Sequence, residues 1–203
     1  MTITVKHTGT ANKTYKVQGE TLAEIWNDIL KKGPVINGKH VAAKTVCPVE
    51  MKASSVKMDQ KIVASKKTKG HFDAELWHKK GAMTFKCTIL MPKLASDKAL
   101  SPKAKKEWRR FLGKLAAHEK EHETLTGHEA SHLAAEMDGL KFKGTGASEK
   151  KAFDAAVKTF KKEFTKNYGG TKIDDRLKEA HKTFDAKTGH GASQGAKLNT
   201  TIE

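Results

Sequence analysis

At 203 residues the chain is long enough to bury one sizeable core, and a single domain is expected. Its net charge of +16 comes almost wholly from lysine, because Arg109, Arg110 and Arg176 are its only arginines. Such a surface attracts anions in general but lacks the bidentate forks of sequence-specific nucleic-acid readers, so only weak binding to anionic polymers is expected.

No run approaches the roughly 18 apolar residues of a membrane span. The opening MTITVKHTGT has no apolar leader core. A mature form freed of its leader, a cytosolic protein and leaderless export all remain open at this point.

In chain order, ITVKHT alternates apolar and polar residues, and TYKVQG does so again after the turn-like TGTANK. Two strands are expected there. Thr21 with Glu24 forms a capping box, and LAEIWNDILKK follows as a helix with Leu22, Ile25, Trp26, Ile29 and Leu30 on one face. Gly33-Pro34 stops it. VAAKTVCPVEMKAS, KIVASKK, AELWHKK and MTFKCTILMP read as an antiparallel meander, with turns at Lys69-Gly70 and Lys80-Gly81. Cys47 and Cys87 lie in two of these runs. A disulfide forms if the strands pair; otherwise both are buried thiols.

After Pro92 the pattern becomes helical. Ser101-Pro102 opens a long helix towards Leu140, and KFKGTGAS reads as a loop. Ser148 caps a helix to about Asn167, broken by Gly169-Gly170, and a shorter helix spans Asp174 to Phe184. DAKTGHGASQGAKLNTTIE reads as a Gly-rich tail, mobile or packed onto the body. The expected class is α+β: a small antiparallel sheet with one N-terminal helix over residues 1–92, helices over 101–186, and a tail over 187–203 that contributes to the site.

Within the long helix, His118-Glu119-Lys120-Glu121-His122 fits H-E-x-x-H. Residues i and i+4 share a helical face, so two imidazoles can converge on one zinc ion while Glu119 sits near the open coordination position. On a helical wheel His122 falls in the apolar stripe of Trp108, Leu112, Leu115, Leu133 and Met137, as does Glu119, with His118 at its edge. The motif therefore lies on the buried side. The alternative is a pair of core histidines bonded to neighbours, with Glu119 at the rim.

A catalytic zinc needs a third protein ligand. His128 has the spacing of a third histidine, but the helix must turn sharply for it to reach, and Leu125 stands where that turn needs Gly. On a straight helix His128 points away. Glu129 then lies roughly 10 Å along the axis, and His132 further still. Another segment must supply the ligand. His190, in TGHG, is favoured because its flanking glycines let backbone approach a crowded site. Asp185 is the second candidate, as a ligand or as a carboxylate orienting a histidine.

The ordered set of Thr14-Tyr15, Gly19-Glu20-Thr21, Gly33-Pro34, Ile89–Pro92, Trp108, His118-Glu119-x-x-His122, Asp185, Thr188–Gly191 and Gln194–Ala196 resembles the DUF922 family. These are bacterial proteins predicted to be secreted zinc-dependent proteases. The resemblance implies a metallopeptidase plan with the zinc-binding helix packed on a small sheet. It implies zinc as cofactor, His118 and His122 as ligands, Glu119 as general base, His190 ahead of His128 as third ligand, and a peptide or protein as substrate. It also implies a secreted or periplasmic location. Glu121 departs from the pattern, since many members carry a small residue there. Tyr168 and His181 are the candidates for stabilising an oxyanion. The competing functions are a non-enzymatic zinc-binding protein and a basic anion- or nucleic-acid-binding protein on the same fold.

Overall fold

A computed structural model describes residues 3–51, 55–169 and 171–203. The end of the MKAS run (52–54) and Gly170 of the expected helix break lie outside the described residues. The elements are β1 (Ile3–Val17), α1 (Leu22–Lys32), β2 (Val35–Ile36), β3 (Lys39–His40), β4 (Lys44–Val46), β5 (Val49–Met51), β6 (Lys57–Ala64), β7 (Phe72–Leu94), α2 (Pro102–Asp138), β8 (Lys141–Gly146), α3 (Glu149–Tyr168) and α4 (Lys172–Thr188). A 3-10 turn follows α4 at Ala192–Gln194. The class is α+β. Among the described residues no helix is long and apolar enough to cross a membrane.

The sheet is not a meander. β7 runs unbroken for 23 residues and is the common partner of β4, β5, β6 and β8, each antiparallel to it. No turn forms at Lys80-Gly81, because that stretch continues the strand past Ile3, 3.3 Å from where a Gly81 Cβ would stand. β1 is likewise one strand of 15 residues rather than two. Its TGTANK segment is polar because both faces are largely solvated there, not because the chain reverses. The hydroxyls of Thr4 and Thr8 donate to the carbonyls of Gly81 and Phe85. These contacts advance together along both strands, so β1 runs in the same direction as β7.

The chain divides into two compact units. The first comprises Met1–Thr8, Val49–Phe85 and Gly127–Lys178. In it α3 covers β6, β7 and β8 through Ala152 and Ala156 against Ala74, Leu76 and Phe142. The segment expected as the loop KFKGTG is strand β8. Its glycines signalled a loop, but a Cβ on Gly144 would stand 2.1 Å from the Ala156 nitrogen. The glycine lets the helix lie directly on the strand. A second cluster in this unit joins Ile3, Met83, Leu133, Ala134, Met137 and Tyr168.

The second unit comprises Gly9–Pro48, Lys86–Thr126 and Glu179–Glu203. Thr21 caps α1 by accepting from the Glu24 amide, and Glu24 accepts from the Glu20 amide. Leu22, Ile25 and Ile29 pack on Leu100, Ala104, Trp108, Phe111 and Leu115 of the α2 side. Leu30, expected on the same face, is 43% exposed. β4 pairs with β7 from Lys44↔Leu90 to Val46↔Thr88, and the next residues, Cys47 and Cys87, form a disulfide.

The tail is held. Ala196 and Leu198 join the core, and Arg110 donates to the carbonyls of Gly195 and Lys197 at 2.6 and 2.7 Å. Glu107 accepts from the Asn199 amide at 2.8 Å. α4 is longer than expected, continuing through Asp185-Ala-Lys-Thr to Thr188. It ends where Gly189 and His190 both adopt left-handed backbone. Asp185 therefore rides on a helix, one turn beyond His181.

Candidate metal centre

α2 is helical without a break from Pro102 to Asp138, so His118 and His122 sit one turn apart on one face. Both are buried, at 3% and 7% exposure. Asp185 approaches from α4. Its Oδ1 lies 3.2 Å from His118 Nε2 and 3.0 Å from His122 Nε2. The three residues each offer a ligand atom, all within 4.8 Å of one another. Two imidazoles and a carboxylate are a donor set suited to zinc.

The surrounding hydrogen bonds decide which ring nitrogen of His118 faces inward. Gln194 Nε2 donates to Glu121 Oε2 at 2.6 Å, and a carboxylate there can only accept. Gln194 Oε1 is thereby turned to His118 Nδ1 at 2.8 Å. An amide oxygen can only accept, so Nδ1 carries the hydrogen of a neutral ring, and Nε2 is the atom that faces Asp185 and can bind an ion. His122 presents Nε2 in the same direction, while its Nδ1 lies 2.7 Å from His181 Nδ1. Two neutral Nε2 atoms and a carboxylate oxygen repel one another unless a cation lies among them. Protons on the rings or one metal ion would supply it.

Ring packing fixes the same geometry. Phe184, next to Asp185, stacks on His118 at a centroid distance of 5.1 Å and meets His122 edge-on at 4.9 Å. Gly191 has φ 81, and a Cβ there would stand 3.0 Å from His118 Cγ. The glycine expected to admit backbone to a crowded site does so against the first histidine.

Glu119 is buried, and its Oε2 accepts the Thr45 hydroxyl at 2.6 Å. Burial pushes its pKa up, more than the Thr45 bond and the nearby His122 and His118 pull it down. Burial also acts to raise Asp185, but its bonds to His118 and His122 outweigh that and hold its carboxyl well below the usual range. For His118 burial lowers the pKa, and the bonds to Asp185 and Gln194 more than reverse it. His181 is pushed down to about 4, first by burial and then by His122.

The structure brings His118, His122 and Asp185 together, and it does not bring His190 among them. His190 is 69% exposed, with Nδ1 3.6 Å from the outer oxygen of Asp185. Its place is the rim, and the carboxylate ranked second in the sequence takes the inner position. The reason is the extra turn of α4, which the Gly- and Thr-rich composition disguised. His128, Glu129 and His132 belong to the first unit and lie outside this group. Tyr168 is also in the first unit, where burial and then Glu136 raise its pKa. His181 has both ring nitrogens engaged, by His122 and Thr126. Thr45, Thr126 and Phe184 carry no local sign of these contacts in the sequence, and Gln194 stood out there only within the family resemblance. The available signal was the spacing His181-x-x-x-Asp185, a second i,i+4 pair on a second helix.

Residues 12–191 match the family described as "Bacterial protein of unknown function (DUF922)". No curated protein and no solved structure matches the chain.

Proposed function

The chain belongs to the DUF922 family of bacterial proteins, and we propose that it is a zinc-dependent peptidase. His118, His122 and Asp185 are the metal ligands in this reading, and Glu119 is the general base. The observation that carries it is the meeting of two Nε2 atoms on one Asp185 oxygen, with the outer nitrogen of His118 already committed to Gln194.

A zinc ion held there supplies Lewis acidity, polarising a carbonyl and acidifying water. Among the described residues this group provides three protein ligands, the number used by zinc sites that leave one position open for chemistry. Glu119 neighbours both histidines in sequence and in charge interaction. Its raised pKa suits a carboxylate that takes a proton from attacking water and returns it to a leaving amine. Thr45 holds the carboxylate in one orientation through its hydroxyl. His190, at the rim, faces the second oxygen of Asp185 and helps fix it. The Cys47–Cys87 disulfide supports a secreted or periplasmic location, where such bonds persist.

A second reading is favoured by one observation. Glu119 is only 4% exposed and already bonded to Thr45. That suits a zinc-binding protein that cleaves nothing. Chelation followed by zinc restoration separates the two, with a mixed pool of unstructured peptides as substrate. The peptidase reading expects cleavage to disappear with chelator and return with zinc. A chain that binds one zinc and cleaves no peptide in that pool would favour the binding protein.

A further inference from the structure

We propose that Thr126 and His181 form a positioning pair that sets the ring tautomer of His122, so that Nε2 is the atom it presents to the metal. The inference rests on the zinc reading of the same centre.

Four residues form two helical steps. His122 and Thr126 are one turn apart on α2, and His181 and Asp185 one turn apart on α4. Thr126 is fully buried. Its hydroxyl has one hydrogen, and the His122 carbonyl, 3.0 Å away, can only accept it. The Thr126 oxygen then turns its lone pairs to His181 Nε2 at 3.1 Å, so that nitrogen carries hydrogen. A neutral imidazole has one N–H, which leaves His181 Nδ1 bare. That atom lies 2.7 Å from His122 Nδ1, which must therefore be the donor. A neutral His122 is then bare at Nε2, the atom that faces Asp185 at 3.0 Å.

The result matches the treatment of His118 by different means. There the acceptor is the Gln194 amide oxygen, oriented by Glu121. Here it is a second histidine, oriented by a threonine. Metal-ligating histidines characteristically donate their other N–H to such a partner, which fixes the ring and raises its basicity. His181 acts through His122, so it is a positioning residue and not a ligand. Its place one turn before Asp185 ties both ligands to the same stretch of α4.

The test uses the full chain and two readouts: zinc affinity by chelator competition, and the hydrogen-bearing ring nitrogen of His122 by nitrogen NMR. His181→Ala should weaken zinc binding about 10- to 100-fold. His181→Asn, whose side-chain oxygen stands near the Nδ1 position, should recover part of that loss. Thr126→Val should move the hydrogen of neutral His122 from Nδ1 towards Nε2, a change that loss of packing alone would not cause. Circular dichroism checks that each variant folds, and the Thr126→Val tautomer decides the matter if His181→Ala does not. Wild-type zinc affinity in a folded His181→Ala chain, or hydrogen on Nε2 of His122 in the unaltered protein, would overturn the proposal. An unaltered chain that shows the Nδ1 hydrogen but binds no zinc would instead overturn the zinc reading and leave the Thr126–His181 pair standing.

Discussion

Asp185 Oδ1 lies 3.0 Å from His122 Nε2, although 63 residues separate the two in the chain. The contact makes Asp185, rather than His190, the third member of the histidine pair. Asp185→Ala should therefore abolish stoichiometric zinc, and His190→Ala should retain it. Metal analysis after dialysis against trace zinc checks both. Loss of zinc in His190→Ala with retention in Asp185→Ala would reverse the assignment.

Gly191 presses its backbone against the His118 ring in a left-handed conformation. Gly191→Ala should destabilise the chain by about 1–2 kcal/mol from the backbone alone. The added methyl should also displace His118 and lower zinc affinity. A melting curve with and without zinc measures both effects, and the stabilisation conferred by zinc should shrink in the variant. Equal zinc-dependent shifts in the two proteins would show that the close approach does not bear on the metal.

Glu107 joins the tail to α2. It accepts two bonds from Arg110, at 2.6 and 2.7 Å, and one from the Asn199 amide. The Arg110 bond is the largest cause of a pKa held below the ordinary value, against the opposing effect of burial. A depressed folded pKa contributes stability that is fully present above the unfolded value of about 4.3. It is lost as pH falls through the lower folded value. Glu107→Gln should cost about 2 kcal/mol at neutral pH, and the gap to the unaltered protein should narrow in acid. Denaturant titrations at neutral pH and near pH 3 measure the gap. A gap that widens in acid would contradict the sign.

Local signals carried much of this fold. The capping residues Thr21 and Ser148 mark their helices, and the apolar stripe of α2 put His118 and His122 on its buried side. The errors have physical causes. Glycine in β8 and β7 serves close packing and strand continuity, but a local reading treats it as a turn. β1 carries polar residues on both faces where it is solvated, so its middle looked like a loop. The approach of Asp185 to His118 and His122 is a long-range contact. Nothing in residues 118–122 specifies which part of α4 faces them, and His190 is close enough in sequence to Asp185 to draw the choice. The outer shell was least legible, because Thr126, Phe184 and Gln194 acquire their roles only when α2, α4 and the tail are packed together.

The most direct measurement is peptidase activity of a Glu119→Gln chain whose zinc content is determined on the same sample. Glutamine keeps nearly the same size and can still meet Thr45, but it cannot take a proton from water. The variant should hold one zinc per chain and lose activity by about 100-fold or more, the scale of a missing general base. Full peptidase activity in zinc-loaded Glu119→Gln would contradict the assignment of the base, and with it the account of how this centre works.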